Sequence, residues 1–305
     1  MKAVWSFWSR PFEQALGSTW GSLSGFLHSW VLSCGLGGTH YPDTELHTDS
    51  EGARLLVDKL QIPFERVYLT LDALKNGNPQ WWAIGKLYAY REQTEPFVHL
   101  DHDVFLWRRL PRELEAAAVF AQSPECFRPG DRRSWYPILE VESCFKDAGT
   151  GWIPDEWRWC RDQSTMQEAA CCGIVGGVRS DFLRYYADLG IRMVEDEKNK
   201  GAWGRFRDPS LCNVLIEQYL LRACVGYHRA HPASAFADVA MAYLFPSPEA
   251  PYSNAEAESI GYTHLIGGAK RSAGVLEDLR RRVLCDYPDA YERCLRLSRD
   301  IAHLA

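Results

Sequence analysis

Apolar positions along the first hundred residues switch between two periods. AVWSFW at 3–8 is a short apolar and aromatic run, and LSGFLHSWVLSCG follows with Leu23, Phe26, Leu27, Trp30 and Val31 at helical spacing. Gly35 is expected to stop that helix. TELHTDS at 44–50 reads as a strand, SEGARLLVDKLQI as a helix capped by Ser50, and RVYLTLD at 66–72 as a third strand. WWAIGKLYAYREQ at 81–93 is helical, and PFVHLDHDVFLW reads as a fourth strand opened by Pro96. Strands alternating with helices predict an α/β sheet covered by helices, the nucleotide-binding half of a doubly wound fold. Binding groups gather at the carboxyl ends of such strands, where Asp49, Asp72, Asp101 and Asp103 fall.

The pattern weakens from about 120 to 165 into stretches such as RPGDRRSWYP and GWIPDEWRWCRD, which predict long loops with short helices or hairpins. Strand then helix return in CCGIVGGVRSDFLRYYADL at 171–189, and DPSLCNVLIEQYLLRACVG is a helix opened by Asp208 and Pro209. VLEDLRRRVL and DAYERCLRLSRDIAHL form an amphipathic tail, so the expected division is one large domain over 1–272 and a helical extension over 273–305.

Composition removes several classes of function. A net charge of −6 over 305 residues, with no basic run longer than the RRR at 280–282, argues against a grip on nucleic acid. No stretch approaches the length of a membrane span, and Arg10 and Pro11 interrupt the N-terminal apolar segment. Ten cysteines without a CxxC pair read as reduced core thiols, and a cytoplasmic location is expected.

Candidate chemistry begins with Asp101 and Asp103. Nineteen aspartates in this length give roughly one DxD by chance, so the setting carries the weight. On one strand the two carboxylates share a face, which is costly at the end of an apolar run unless a cation or several donors satisfy them. A divalent metal, Mg²⁺ or Mn²⁺, is the economical solution; a pair that merely caps a strand and faces water is the alternative. His99 and His102 alternate with the aspartates and are expected to pack rather than ligate. Far along the chain, GYTHLIGGAKR at 261–271 spaces His264, Gly267 and Lys270 as HxxGxxK. Imidazole suits Mn²⁺, Gly267 and Gly268 let backbone approach an anion, and Lys270 offers a point charge to phosphate.

Taken in order, these segments resemble GT-A fold glycosyltransferases that use nucleotide sugars, and most of all glycosyltransferase family eight, the glycogenin-like enzymes. KLYAY before the DxD strand, FVHLDHD, CGIVGGVRSDFLRYY and HLIGGAKR are similar to the family's motifs, with Cys172 in place of an Asn and Arg271 and Ser272 in place of a Pro and a Trp. The resemblance implies a Rossmann-like central mixed sheet and a metal held by Asp101, Asp103 and His264. It places Gly267 and Lys270 at a diphosphate and Lys86 near the sugar or phosphate. It implies transfer of a hexose from a UDP-sugar with retention, the acceptor being a peptide, protein, glycan or small molecule. An insertion over 120–165, with the Trp and Arg cluster at 152–161, is a candidate acceptor region.

Glu217 and Gln218 lie on or beside the apolar face of their helix, in a place comparable to the family's Asp-Gln pair, and are the catalytic candidates; a buried ion pair of Glu217 with Arg179 or Arg205 is the structural alternative. Ser6, Phe7, Trp8 and Asp49 are placed at the nucleotide by the fold rule, with Trp8 a candidate to stack on uracil. Gly173 and Gly176 could shape the sugar pocket. Two other functions use parts of this set: a metal-dependent nucleotidyltransferase, which has no need of HxxGxxK, and a non-catalytic nucleotide-sugar-binding module.

Overall fold

The computed structural model describes residues 1–15, 19–131, 133–206 and 208–302. Seven strands hydrogen-bond side by side in the order β3-β2-β1-β4-β7-β6-β8, forming a mixed, mostly parallel sheet flanked by helices. In chain order they are β1 Lys2–Phe7, β2 Thr44–Thr48, β3 Arg66–Tyr68, β4 Phe97–Leu100, β6 Val119–Phe127, β7 Gln167–Gly177 and β8 Met241–Tyr243. A separate two-stranded ribbon pairs β5 Val104–Leu106 with β9 Tyr262–His264. The chain falls into two compact units, one of Met1–Asn76, His99–Leu110 and Ser253–Ala305, the other of Gly77–Val98 and Pro111–Tyr252.

In the first unit β1 pairs in parallel with β2, and β2 with β3. The helix Leu23–His40 packs on this layer with Phe26, Leu27, Trp30 and Val31 buried, and Ser22 caps it by accepting from the Gly25 N–H. Gly35 does not end it. A Cβ at Gly37 would strike the Trp5 ring and one at Gly35 the Tyr287 ring, so these glycines bring aromatic groups onto the helix rather than break it. Helices Ala273–Asp286 and Pro288–Ala302 pack against the same helix, which makes the tail part of this core.

Three local expectations change. Asp49, not Ser50, caps the helix Ser50–Ala53. The third strand ends at Tyr68, and a 3₁₀ turn over Thr70–Leu74 buries Leu71 and Leu74 and carries Asp72, which accepts from the Ser50 N–H and hydroxyl. The long run after Pro96 is two strands, interrupted at 101–103.

In the second unit β6 runs antiparallel to β7, with an irregularity between Ala121 and Ser123, and parallel to β8. The segment 120–165 is therefore not loop-rich. It holds most of β6 and the helices Ile138–Ala148 and Asp155–Gln163, anchored by buried Ile138, Val141, Phe145 and Trp157. The tryptophans of 152–161 are engaged in packing: Trp152 donates to Asp196, Trp157 donates to Glu142, and Trp159 meets Tyr227 and His231 edge-on. Helix Ile84–Arg91 packs on Ser180–Glu195, where Gly190 admits the Leu87 side chain. Among the described residues, which include all ten cysteines, there is no disulfide. Among the described residues no helix is long and apolar enough to cross a membrane.

Candidate metal centre

β4 is buried along its whole length, so the chain can expose a charged group only by leaving the sheet. It does so at Asp101. The Val104 N–H donates to the Asp101 carbonyl at 3.0 Å, closing a tight turn that holds His102 and Asp103, and the next three residues enter the ribbon. Asp101 and Asp103 thus converge through a turn, not by sharing the face of one strand. The Ser33 hydroxyl, itself accepting from the Trp5 indole, donates to the Asp101 carbonyl at 3.2 Å and anchors the exit.

The ribbon supplies the third group. In the β5–β9 register Val104 faces His264, Phe105 faces Thr263 and Leu106 faces Tyr262, and the Leu265 N–H donates to the Asp103 carbonyl at 3.0 Å. His264 Nε2 consequently lies 3.5 Å from Asp103 Oδ1. One ligand atom from each of Asp101, Asp103 and His264 lies within 4.8 Å of the other two. After β9 the chain turns through Gly267, whose φ of 54° is left-handed, into a 3₁₀ turn that returns Lys270 to an ion pair with Asp103 Oδ2. Nothing lies within 4 Å of a Cβ built on Gly267 or Gly268, so backbone there is open to approach.

Asp103 is 3% exposed. Burial pushes its carboxyl upward, but Lys270, His264 and His102 outweigh that and hold it well below the usual carboxylate range. Two carboxylates against one ammonium leave a negative charge, and the buried Asp103 Oδ1 has no hydrogen-bond partner. Two carboxylate oxygens and one imidazole nitrogen fit a divalent cation such as Mn²⁺ or Mg²⁺.

A residue that sequence reasoning assigned to packing stands directly behind this set. His99 Nδ1 lies 3.8 Å from Asp101 Oδ1, and its Nε2 meets the Ser6 hydroxyl at 2.9 Å. Ser6 and His99 thus back the carboxylate, as outer partners of ligands commonly do. Period-two alternation puts His99 on the same face as Asp101, two residues on, so the expectation that it packs on the far side misread the pattern. His102, by contrast, packs as expected, stacked on Trp30 with ring centroids 5.0 Å apart.

The other candidates are placed as follows. Phe7 sits in an aromatic cluster with Phe12, Phe26 and Trp30. Trp8 is buried, and its indole N–H has no partner among the described residues. Asp49 accepts from the Ser9 N–H and hydroxyl and from the Gly52 N–H, so its carboxylate fastens the end of β1 to the following helix. In the second unit Lys86 Nζ lies 2.7 Å from Glu217 Oε1. Glu217 is fully buried in a π-helical turn, Leu215–Tyr219. Its ionic partner is thus Lys86, while Arg179 pairs with Asp181 and Asp238. Gln218 lies beside the Tyr136 phenol.

Two solved structures share a distant likeness. One is the bifunctional glycosyltransferase WbbM in its apo form, with 11% identity and a TM-score of 0.32 over 71% of this chain; the match spans 37% of that protein. The other is the galactosyltransferase LgtC in complex with donor and acceptor sugar analogues, with 13% identity and a TM-score of 0.34 over 91% of this chain and 96% of that one. At such scores the reading of the site rests on its own residues. No curated protein matches the chain. A family model does, over residues 1–297, and the chain belongs to that family, DUF6734, described as a family of unknown function.

Proposed function

We propose that the chain transfers a hexose from a UDP-sugar to an acceptor hydroxyl, with retention, and that Asp101, Asp103 and His264 hold the Mn²⁺ the reaction needs. The observation that carries this reading is the convergence of those three groups within 4.8 Å, His264 arriving from 264 − 103 = 161 residues beyond Asp103. They are the residue types, in the order, that the family-eight resemblance implies.

A divalent cation so held supplies charge neutralisation to a diphosphate leaving group as the glycosidic bond breaks. The chain's own groups do the rest. Lys270 adds a cationic hydrogen-bond donor beside Asp103, and the open backbone at Gly267 and Gly268 leaves room for phosphate oxygens. Ser6, through His99, keeps Asp101 oriented. Trp8 has an indole N–H to offer the nucleotide, and Asp49 and Phe7 stiffen the strand end beneath it. Glu217 and Gln218 are assigned to the sugar, with Lys86 compensating the charge of Glu217. The catalytic region is taken as 1–272. A reducing, cytoplasmic setting, in which ten cysteines would stay reduced, belongs to the same proposal.

The test is product release from a panel of UDP-sugars with Mn²⁺ and without acceptor. Slow, EDTA-sensitive release of UDP from one donor is expected. Release of pyrophosphate from a nucleoside triphosphate and sugar phosphate would indicate nucleotidyl transfer instead. Binding of UDP-sugar with neither product would mark a binding module.

A further inference from the structure

In the second unit the phenol oxygen of Tyr136 lies 2.5 Å from Glu125 Oε2 and 2.6 Å from Gln218 Oε1. The three residues come from separate elements: Glu125 from β6, Gln218 from the π-helical turn, and Tyr136 from the stretch before Ile138–Ala148. The ring is fixed, 4% exposed and stacked on Phe127 at 4.3 Å. Burial, and then the Glu125 carboxylate, push the phenol well above its usual range, so it keeps its proton.

One proton cannot serve two acceptors. A carboxylate can only accept, so the phenol donates to Glu125. The amide of Gln218 must then present its NH₂ to the phenol oxygen, which a half-turn about its last bond achieves without change of shape. That half-turn sends the Gln218 carbonyl oxygen away from Tyr136. Glu125 has a second carboxylate oxygen, Oε1, besides the one that meets the phenol, and both side chains are half-exposed. The cluster therefore offers acceptor oxygens and one negative charge, with no outward donor of its own.

We propose that Glu125 and Tyr136 are positioning residues that hold the Gln218 amide with its carbonyl oxygen outward, so that the site selects a neutral, hydroxyl-bearing hexose over one carrying a carboxylate. This rests on the assignment of Gln218 to the sugar. Sugar hydroxyls donate to such oxygens, whereas a uronate brings acceptors and a like charge toward Glu125.

Two measurements test it on the full chain. The first is side-chain amide exchange of Gln218 by NMR, its resonances assigned by their loss in Gln218→Glu. One amide proton should exchange about ten-fold slower than in a free glutamine and lose that protection in Tyr136→Phe. The second compares UDP-glucose with UDP-glucuronate as donors. In Glu125→Ala the phenol loses its carboxylate acceptor and donates to the Gln218 carbonyl oxygen instead, and the Gln218 NH₂ turns outward. The parental preference for the neutral sugar should fall at least ten-fold, chiefly through KM, with an unchanged melting temperature.

Equal loss on both donors, or no change on either, would overturn the selection. An unprotected amide, indifferent to Tyr136→Phe, would overturn the orientation. If the parent neither binds nor consumes any UDP-sugar, the sugar-transfer reading falls and the selectivity with it, while amide exchange still decides the orientation.

Discussion

His264 Nε2 sits 3.5 Å from Asp103 Oδ1 because two three-residue strands pair antiparallel with Val104 opposite His264. Side chains alternate across a strand, so a slip of one residue in this ladder would turn His264 to the other face and dismantle the donor set. The ribbon is short, but Phe105, Leu106 and Tyr262 are all buried, which ties its register to the core.

Asp103→Asn keeps the shape of the side chain and removes the charge that Lys270 and a metal both require. Release of UDP from the preferred donor should drop at least a hundred-fold, with the far-ultraviolet circular dichroism unchanged. Turnover at the parental rate would dismiss the metal assignment.

Mn²⁺ should raise the melting temperature of the parent, since a ligand that binds only the folded state adds about 2.7 kcal/mol at a hundred times its dissociation constant. Asp101→Ala and His264→Ala should each abolish the shift while the apo proteins still melt cooperatively. An equal shift in all three proteins would mean that the ion binds elsewhere.

Lys86→Ala takes the ammonium from beside a fully buried carboxylate. Breaking a buried pair on one side typically costs 3–5 kcal/mol, so a loss of about 3 kcal/mol is expected by urea denaturation. The double variant Lys86→Met with Glu217→Gln should recover much of it. A loss in Lys86→Ala below about 0.5 kcal/mol would show that Glu217 is not held by this pair.

Acid should weaken the first unit in two separable windows. His28 is buried against Tyr291, and burial, then Arg280, lower its pKa from 6.5 to about 4. The unfolded chain takes up that proton first, so the stability due to neutral His28 is complete above pH 6.5 and is lost as pH falls towards 4. Glu45 is lowered to about 2: burial opposes the shift, and hydrogen bonds from His47, Lys2 and Arg66 overcome it. Its contribution is complete above about pH 4.5 and is lost as pH falls towards 2. Unfolding free energies across pH 2–7 should lose the upper step in His28→Phe and the lower step in Glu45→Gln. Unchanged curves would refute the assignments.

Much of this arrangement could be read along the chain. The strands at 2–7 and 44–48, the strand at 167–177 from Cys171 on, most of the helix at 23–40 and the helices at 84–91 and 180–195 follow from apolar period, because that signal lies within a few consecutive residues. The acidic pair and HxxGxxK were equally legible as chemistry in search of a partner. What misled was continuity. FVHL and VFL are apolar enough to read as one strand, and nothing local reports that the second belongs to another sheet. β6 was hidden for a related reason: Gln122 and Ser123 are buried as deeply as their apolar neighbours, so the run VFAQSPECF shows no alternation.

By itself, then, the sequence determined the alternating α/β plan and picked out the two aspartates and the histidine as candidate metal-binding groups. The tertiary structure decided that Asp101 and Asp103 meet across a turn, that His99 stands behind them, that Lys86 answers Glu217, and that Tyr136 joins Glu125 to Gln218. Apart from the contacts within 99–103 and between Glu125 and Tyr136, these pairings join segments far apart in the chain. They form only when remote strands complete their backbone hydrogen bonds and bury their apolar faces together, a free-energy gain that no short window of residues contains.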